Sequence, residues 1–356
     1  IQIRGNMNNL IKVGINGFGR IGRAFFRINE QNPSFEVVAI NDIDPNVENH
    51  AYLLKYDTIY GKFDGNVSSN NGDMQMVVNK NTIQFYDQDK INKVPWEKHN
   101  VDIVVDASGI YENVILISNA VKEGSVKKVI ITHSPKGGVD HTIIFGVNEM
   151  TYDSKIHNIV STSICDSNAS GPVLKLLDDE FGIDYGFITT LHPWLSYQNL
   201  VDGSLNSVES PGHFWTDFSL GRGSTENLIP KFTTLVSALE KVIPEISENL
   251  DAMSFRVPIG IVSSSDLTIA LNNSVTTDDL NEFFKQKSVE HDSVIGYGKD
   301  QLVSIDFKGI NESVFVDSRW TRVLKNNIVK LILWYDNEWG YSNRVYDMVN
   351  LMAKSF

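Results

Sequence analysis

An α/β protein in two parts is what this sequence predicts, and three observations predict it. Short β-branched runs alternate with helical patterns from Met7 to about Val160, a glycine-rich turn joins the first run to the first helix, and the pattern changes character in the second half. Strand, helix and strand in succession give a mostly parallel sheet. Residues 7–164 are therefore expected to form a Rossmann-type domain, and residues 165–339 an α+β domain with a mixed or antiparallel sheet.

Taken in order, residues 1–6, "IQIRGN", precede Met7 and lack the charged and apolar regions of a signal peptide, so they are expected to be foreign to the native chain. "LIKVGI", "FEVVAIND", "VDIVVDAS", "KKVIITH" and "HTIIFGVN" read as buried strands, and "GRAFFRINEQ" between the first two has helical periodicity. In the second half "GPVLKLLDDEFG" reads as helix, and "YGFITTLH" and "VSSSDLTIAL" as strands. "STENLIPKFTTLVSALEKVIPE" reads as a capped entry followed by a helix. Between Gln198 and Glu226 lies a Gly, Ser and Asn-rich loop, long enough to suggest a function of its own, especially over 203–223.

Bulk properties narrow the function. A chain of 356 residues with 42% hydrophobic and 21% charged residues is ordinary for a soluble enzyme. A net charge of -13 argues against nucleic acid and anionic membrane as partners, since both demand a surplus of Lys and Arg. One cysteine makes no internal disulfide, and runs such as "IVKLILWY" are too short to span a bilayer. The expected setting is cytoplasmic, with no metal.

"VGINGFGRIGRAFF" places Gly17, Gly19 and Gly22 as GxGxxG at a strand-to-helix junction. The first glycine permits the tight turn, the second lets the backbone approach a pyrophosphate, and the third allows close helix packing. Asp42 closes the next strand twenty positions after Gly22. A carboxylate there bonds a ribose and repels a 2'-phosphate, and "NDIDPN" offers no Arg to neutralise one, so NAD is favoured over NADP.

Cys165 sits in "STSICDSNASG", after a strand candidate and before a helix beginning near Ser167. A thiol at a helix N-terminus feels the positive end of the dipole, which favours thiolate. An isolated cysteine is more often inert and buried. His192, twenty-seven residues on, ends the strand "GFITTLH" and offers a base and ion-pair partner. A dinucleotide fold, then a cysteine at a domain junction, then a histidine suits oxidation of an aldehyde through a hemithioacetal and a thioester. A non-catalytic NAD-binding regulatory protein is the alternative from another class.

"KVGINGFGRIGR", "VNE" after "IIFG", "IVSTSICDSNASGPVLK", "TTLH", "NLVDG", "NLIP", "KVIPE", "FRVP" and "WYDNEWGYSNRV" resemble, in order from about residue 10 to 352, the phosphorylating glyceraldehyde-3-phosphate dehydrogenase family. The resemblance implies that Cys165 is the nucleophile and His192 the general base. It implies NAD contacts from Asn16, Gly17, Phe18, Gly19, Arg20, Ile21, Gly22, Asp42, Ser108, Gly109, Thr132 and Tyr341, with Asn337 orienting the nicotinamide amide. It also implies a small sugar-phosphate aldehyde as substrate, a homotetramer, and a C-terminal helix, 340–356, that returns to the first domain.

The substrate positions implied by the resemblance are Asp166, Ser167, Leu195, Thr233, Thr234 and Arg256, and several depart from the family pattern. Ile164 stands where a Ser is usual, Asp166 replaces a hydroxyl that would hold the attacking phosphate, Leu195 replaces a Thr, Leu220 an Arg and Thr234 a Gly. A carboxylate about 6 Å from a phosphate dianion, at an effective dielectric of about 20, repels it by roughly 5 kcal/mol. Unless Asp166 points away, a cation such as Lys231 or Arg222 would have to compensate. The other outcome is a paralogue that uses a different aldehyde without phosphorolysis, in a pocket lined by Trp194, Leu195 and Phe232; Phe232 has also a core reading, at helical spacing with Leu235 and Leu239.

Overall fold

The computed structural model describes residues 10–204 and 218–356, so the expectation for residues 1–6 and most of that for the 203–223 loop lie outside the described residues. Two compact units divide the chain. One takes the chain up to His141, with Asp153–Thr162 and Val345–Phe356, and the other takes Thr142–Tyr152 and Ser163–Arg344. The closing helix, Trp339–Ala353, begins in the second unit and belongs to the first from Val345 onward.

In the first unit, Lys12–Asn16 pairs in parallel with Glu36–Asn41 on one side and Ile103–Asp106 on the other. Asn81–Tyr86 follows Glu36–Asn41, while Lys128–Ile131 and then Ile159–Ser161 follow Ile103–Asp106, all in parallel. Numbered along the chain, these six strands lie in the order 3-2-1-4-5-6 of a doubly wound sheet. The antiparallel strands Gln75–Val78 and Val67–Asn70 extend one edge. Val13, Ile15, Ile103, Val104, Val105 and Val129 are fully buried, as parallel strands covered on both faces require. The helix Arg20–Gln31 packs Ala24, Phe25, Phe26 and Ile28 into the core.

The strand expected over "HTIIFGVN" shrinks to His141–Thr142. The Asn148 side chain accepts from Ile144 N at 2.8 Å and donates to Thr142 O at 2.9 Å, and Gly146 takes a positive φ of 81°. A local turn thus consumes the groups that a ladder would have used.

The second unit is built on a mixed sheet, ordered Ile229–Lys231, Leu250–Val257, Ile183–Pro193, Ser263–Leu271, Ile328–Tyr335, Val314–Asp317 and Ile295–Gly298, with Arg322–Leu324 paired to Ile328–Tyr335. Leu250–Val257 runs parallel to Ile183–Pro193, and Ser263–Leu271 antiparallel. The 17-residue helix Cys165–Phe181 lays Ala169, Val173, Leu174 and Leu177 into a core with Ile188, Leu267 and Ile269 from the sheet. The opposite face of the sheet exposes Tyr185, Phe187, Leu191 and Met253.

The helix expected after the entry in "STENLIPKFTTLVSALEKVIPE" forms only in two short pieces, and the entry itself holds a strand. Ile229–Lys231 pairs with Ser254–Arg256 as an edge strand, where Pro230 is tolerated. Only Leu235–Leu239 and Pro244–Ser247 are helical, the latter opened by a proline at its first position. Phe232 is 92% exposed, so its core reading fails.

Candidate active site

The sequence folds its first glycine turn tightly for a steric reason. Gly17 has φ of 90°, and a Cβ there would lie 2.6 Å from Ser108 N. Gly22 approaches Gly17 O so closely that a Cβ would sit 2.2 Å from it, whereas one on Gly19 meets nothing within 4 Å. Gly19, at the N-terminus of Arg20–Gln31, is thus bordered by open space on the side where an anion meets helix N–H groups. The turn lies where strands one and four of the doubly wound order diverge, the usual place for a ligand in such sheets.

Polar side chains fix this turn from below. Asn16 Nδ2 donates to Asp106 Oδ1 at 2.8 Å, and Asn41 Nδ2 donates to Asn16 Oδ1 at 2.7 Å. Ser108 Oγ donates to the same Asp106 oxygen at 2.6 Å. Thr132 Oγ1 donates to Asp106 O at 3.0 Å. Burial pushes the Asp106 carboxyl up. Asp42 Oδ2 accepts from Phe18 N at 2.7 Å and Oδ1 from Asp44 N at 3.2 Å, which leaves about two of its four acceptor directions for a diol. In the second unit, Asn337 is buried and its Oδ1 has no hydrogen-bond partner, as an acceptor awaiting an amide would be. The features of the first unit fit a dinucleotide.

Cys165 opens its helix from a turn of unusual backbone. Ser163 has φ of 59°, in the left-handed region, and its carbonyl accepts from Tyr341 Oη at 3.0 Å. Ser167 Oγ donates to Ile164 O at 2.9 Å, accepts from Ile164 N at 3.3 Å, and lies 2.8 Å from Ser163 Oγ. Every direction of that hydroxyl is taken and the side chain is fully buried, so Ser167 shapes the turn and does not face a substrate.

The period of two along a strand brings the partners to Cys165. Ile188, Thr190 and His192 point inward from Ile183–Pro193, while Tyr185, Phe187 and Leu191 point out. The parallel register sets His192 directly beside Arg256, also inward. Tyr335 ends the inward row Val329, Leu331, Leu333 of its strand. Cys165 Sγ consequently lies 3.6 Å from His192 Nε2 and 3.6 Å from Asp166 Oδ1. Asp166 Oδ1 also accepts from Tyr335 Oη at 2.8 Å and lies 4.0 Å from His192 Nε2. The Asp166 carboxylate therefore turns toward the sulfur.

His192 Nδ1 lies 3.1 Å from Pro193 O, which would accept its proton and leave Nε2 as an acceptor facing the thiol. Arg256 Nη1 also contacts Nδ1. A guanidinium only donates, so it selects the opposite tautomer. Arg256 further donates to Pro193 O at 3.2 Å and Tyr197 Oη at 3.3 Å, while its buried Nε has no partner.

Electrostatics here run against the dipole expectation. Burial first, then the Asp166 carboxylate, push the Cys165 thiol well up, and Arg256 offsets only part. Burial and then Arg256 push His192 down to about 3. The resting pair is a thiol and a neutral imidazole. The depressed histidine also predicts a pH effect: between pH 6.5 and about 3 the unfolded chain holds a proton on this residue that the folded chain refuses. Its contribution to stability is thus complete above 6.5 and falls as the pH drops, by about 1.4 kcal/mol per unit at full slope. Urea melts of wild type and His192→Asn across that window should diverge by this slope, and parallel curves would count against it.

The remaining predicted positions are placed as follows. Phe18 has its ring sealed in the core against Phe26 and Phe85, so only its backbone remains for a ligand. Arg20 is ion-paired with Asp57. Ile21 is partly buried, and Gly109 takes φ of 73° just after Ser108. Leu195 N donates to Gln198 Oε1 at 2.9 Å, and Trp194 is partly buried. Thr233 Oγ1 accepts from Leu235 N at 3.2 Å, and Thr234 is exposed. Leu220 is buried, and Arg222 pairs with Asp202 at 2.9 Å.

Sequence reasoning missed Tyr335, Tyr197 and Gln198, whose buried Nε2 has no partner. The alternating apolar row ending at Tyr335 was the one available signal.

Comparison with known proteins gives the same picture along nearly the whole chain. Residues 11–114 match the family described as "Glyceraldehyde 3-phosphate dehydrogenase, NAD binding domain" and residues 164–337 match "Glyceraldehyde 3-phosphate dehydrogenase, C-terminal domain". Glyceraldehyde-3-phosphate dehydrogenase 1 of Bacillus subtilis (strain 168) is 39% identical over 349 residues, covering 97% of this chain and 98% of the relative. Glyceraldehyde-3-phosphate dehydrogenase 1 of Bacillus cereus is 38% identical over 347 residues, covering 97% and 99%. Glyceraldehyde-3-phosphate dehydrogenase of Podospora anserina is 38% identical over 347 residues, covering 97% and 98%. This chain belongs to the glyceraldehyde-3-phosphate dehydrogenase family.

Proposed function

We propose that the chain oxidises a small phosphorylated aldehyde with NAD, through a covalent thioester on Cys165. The observation that carries this reading is the 3.6 Å approach of Cys165 Sγ to His192 Nε2. Dinucleotide binding alone calls for neither residue. Bound NAD would supply the hydride acceptor, held in the first unit by the Gly17–Gly22 turn and Asp42. The sulfur adds to the carbonyl carbon, and its proton passes to the carbonyl oxygen, giving a hemithioacetal. His192 Nε2 takes the hydroxyl proton as that carbon is oxidised, which leaves the thioester.

Arg256 ties substrate binding to this base. An anionic group on the substrate would satisfy the orphaned Nε of Arg256, and Gln198 Nε2 offers a second unpartnered donor. Neutralising the guanidinium removes one of the two main causes of the low His192 pKa and leaves Nδ1 to Pro193 O, so the imidazole becomes a better base as the substrate settles.

NADH production across a panel of aldehydes, phosphorylated and not, with mass spectrometry of the Cys165 peptide, tests the reading. Phosphorylated aldehydes should react fastest and add an acyl mass to Cys165. A panel that yields neither NADH nor adduct overturns it.

The exposed apolar row of Tyr185, Phe187, Leu191 and Met253 supports a homotetramer, since such a patch needs covering in water. Sedimentation at the monomer mass would contradict this. We also place the chain in the cytoplasm, where a lone thiol stays reduced; among the described residues no helix is long and apolar enough to cross a membrane.

A further inference from the structure

We propose that the acyl group on Cys165 is handed to water activated by Asp166, so that the product is a free carboxylic acid. This rests on the thioester reading above. Asp166 is buried, touches the sulfur at 3.6 Å, and is anchored by Tyr335 Oη at 2.8 Å. In the resting site Oδ1 has two donors, the Tyr335 hydroxyl and the Cys165 thiol. Acylation consumes the thiol hydrogen. Of these two donors the carboxylate then keeps only Tyr335 at the stage when an acyl acceptor must arrive, and a neutral O–H group supplies the second.

Charge selects the acceptor in the same direction. A phosphate dianion about 6 Å from this carboxylate binds roughly 10³-fold or more weakly than beside a neutral side chain. Water carries no such penalty.

The step balances without an oxidant. Water oxygen bonds to the thioester carbon while one of its protons passes to Asp166. The tetrahedral adduct collapses, the C–S bond breaks, and its electron pair goes to Sγ. Asp166 returns the proton to Sγ across the 3.6 Å contact, which restores thiol and carboxylate. Asp166 is the catalytic base here, and Tyr335 is a positioning residue.

The test uses the full chain with the aldehyde that gives most NADH, in phosphate-free buffer containing 18O-water. Steady turnover and 18O in the carboxylic acid product are expected. Asp166→Asn should release about one NADH per chain and then turn over roughly 10²- to 10⁴-fold more slowly. Hydroxylamine, a nucleophile that needs no base, should restore its turnover as a hydroxamate, which a merely misfolded variant would not show. Wild-type turnover that saturates with phosphate and yields an acyl phosphate overturns the proposal whatever the variant does. So does an unslowed Asp166→Asn, or loss of wild-type turnover with EDTA, which would make a metal-bound water the nucleophile. A wild-type chain that forms no acyl adduct with any aldehyde overturns the thioester reading itself, and this proposal with it.

Discussion

Cys165→Ala should form NADH at least about 10⁴-fold more slowly than wild type with every aldehyde, because no other group stands where the sulfur does to hold the carbonyl carbon. The substitution is a clean one. Cys165 is the first residue of its helix and only partly buried, and alanine is the best helix former, so the thermal midpoint should stay within a few degrees. The paired measurements separate chemistry from folding. If the variant keeps more than about a hundredth of wild-type activity at an unchanged midpoint, Cys165 is not the nucleophile.

Gly17→Ala should cost about 3 kcal/mol of stability or more and weaken NAD binding at least about 100-fold. Two causes add. The φ of 90° is strained for any side chain, and the new Cβ would press on Ser108 N at 2.6 Å and Ala107 C at 2.8 Å, which are backbone atoms fixed in the adjoining strand end. Gly19→Ala is the control for stability, since its φ of -74° suits alanine and its Cβ meets nothing within 4 Å. Calorimetric melts and NAD titrations of the two variants decide it. Equal melts for both would show that the turn relaxes freely.

What the sequence made legible was whatever local chemistry dictates. Gly17, Gly19 and Gly22 could be placed because each glycine of the pattern answers a steric need at a strand-to-helix junction, and Asp42 because it closes the next strand. The parallel strands could be placed because Val13–Ile15 and Ile103–Val105 are apolar without alternation. Propensity overstated the helix within residues 224–245, where Ile229–Lys231 pairs with Ser254–Arg256 and only short helical pieces follow. It failed at "HTIIFGVN" because one asparagine side chain replaced the ladder.

The site divides along the same line. Cys165 and His192 are readable as a pair of reactive residue types, but the direction of the Asp166 carboxylate is not. It depends on Tyr335, 169 positions away, and the state of His192 depends on a strand register with Arg256 that spans 64 positions. The helix dipole favours thiolate, but burial and the Asp166 carboxylate oppose it and push the thiol up.

The left-handed bend at Ser163 is fastened by a phenol that belongs to the final helix. Loss of that hydroxyl takes one restraint from the bend that leads into Cys165, so the shape of this loop is held in part by a side chain 178 positions away.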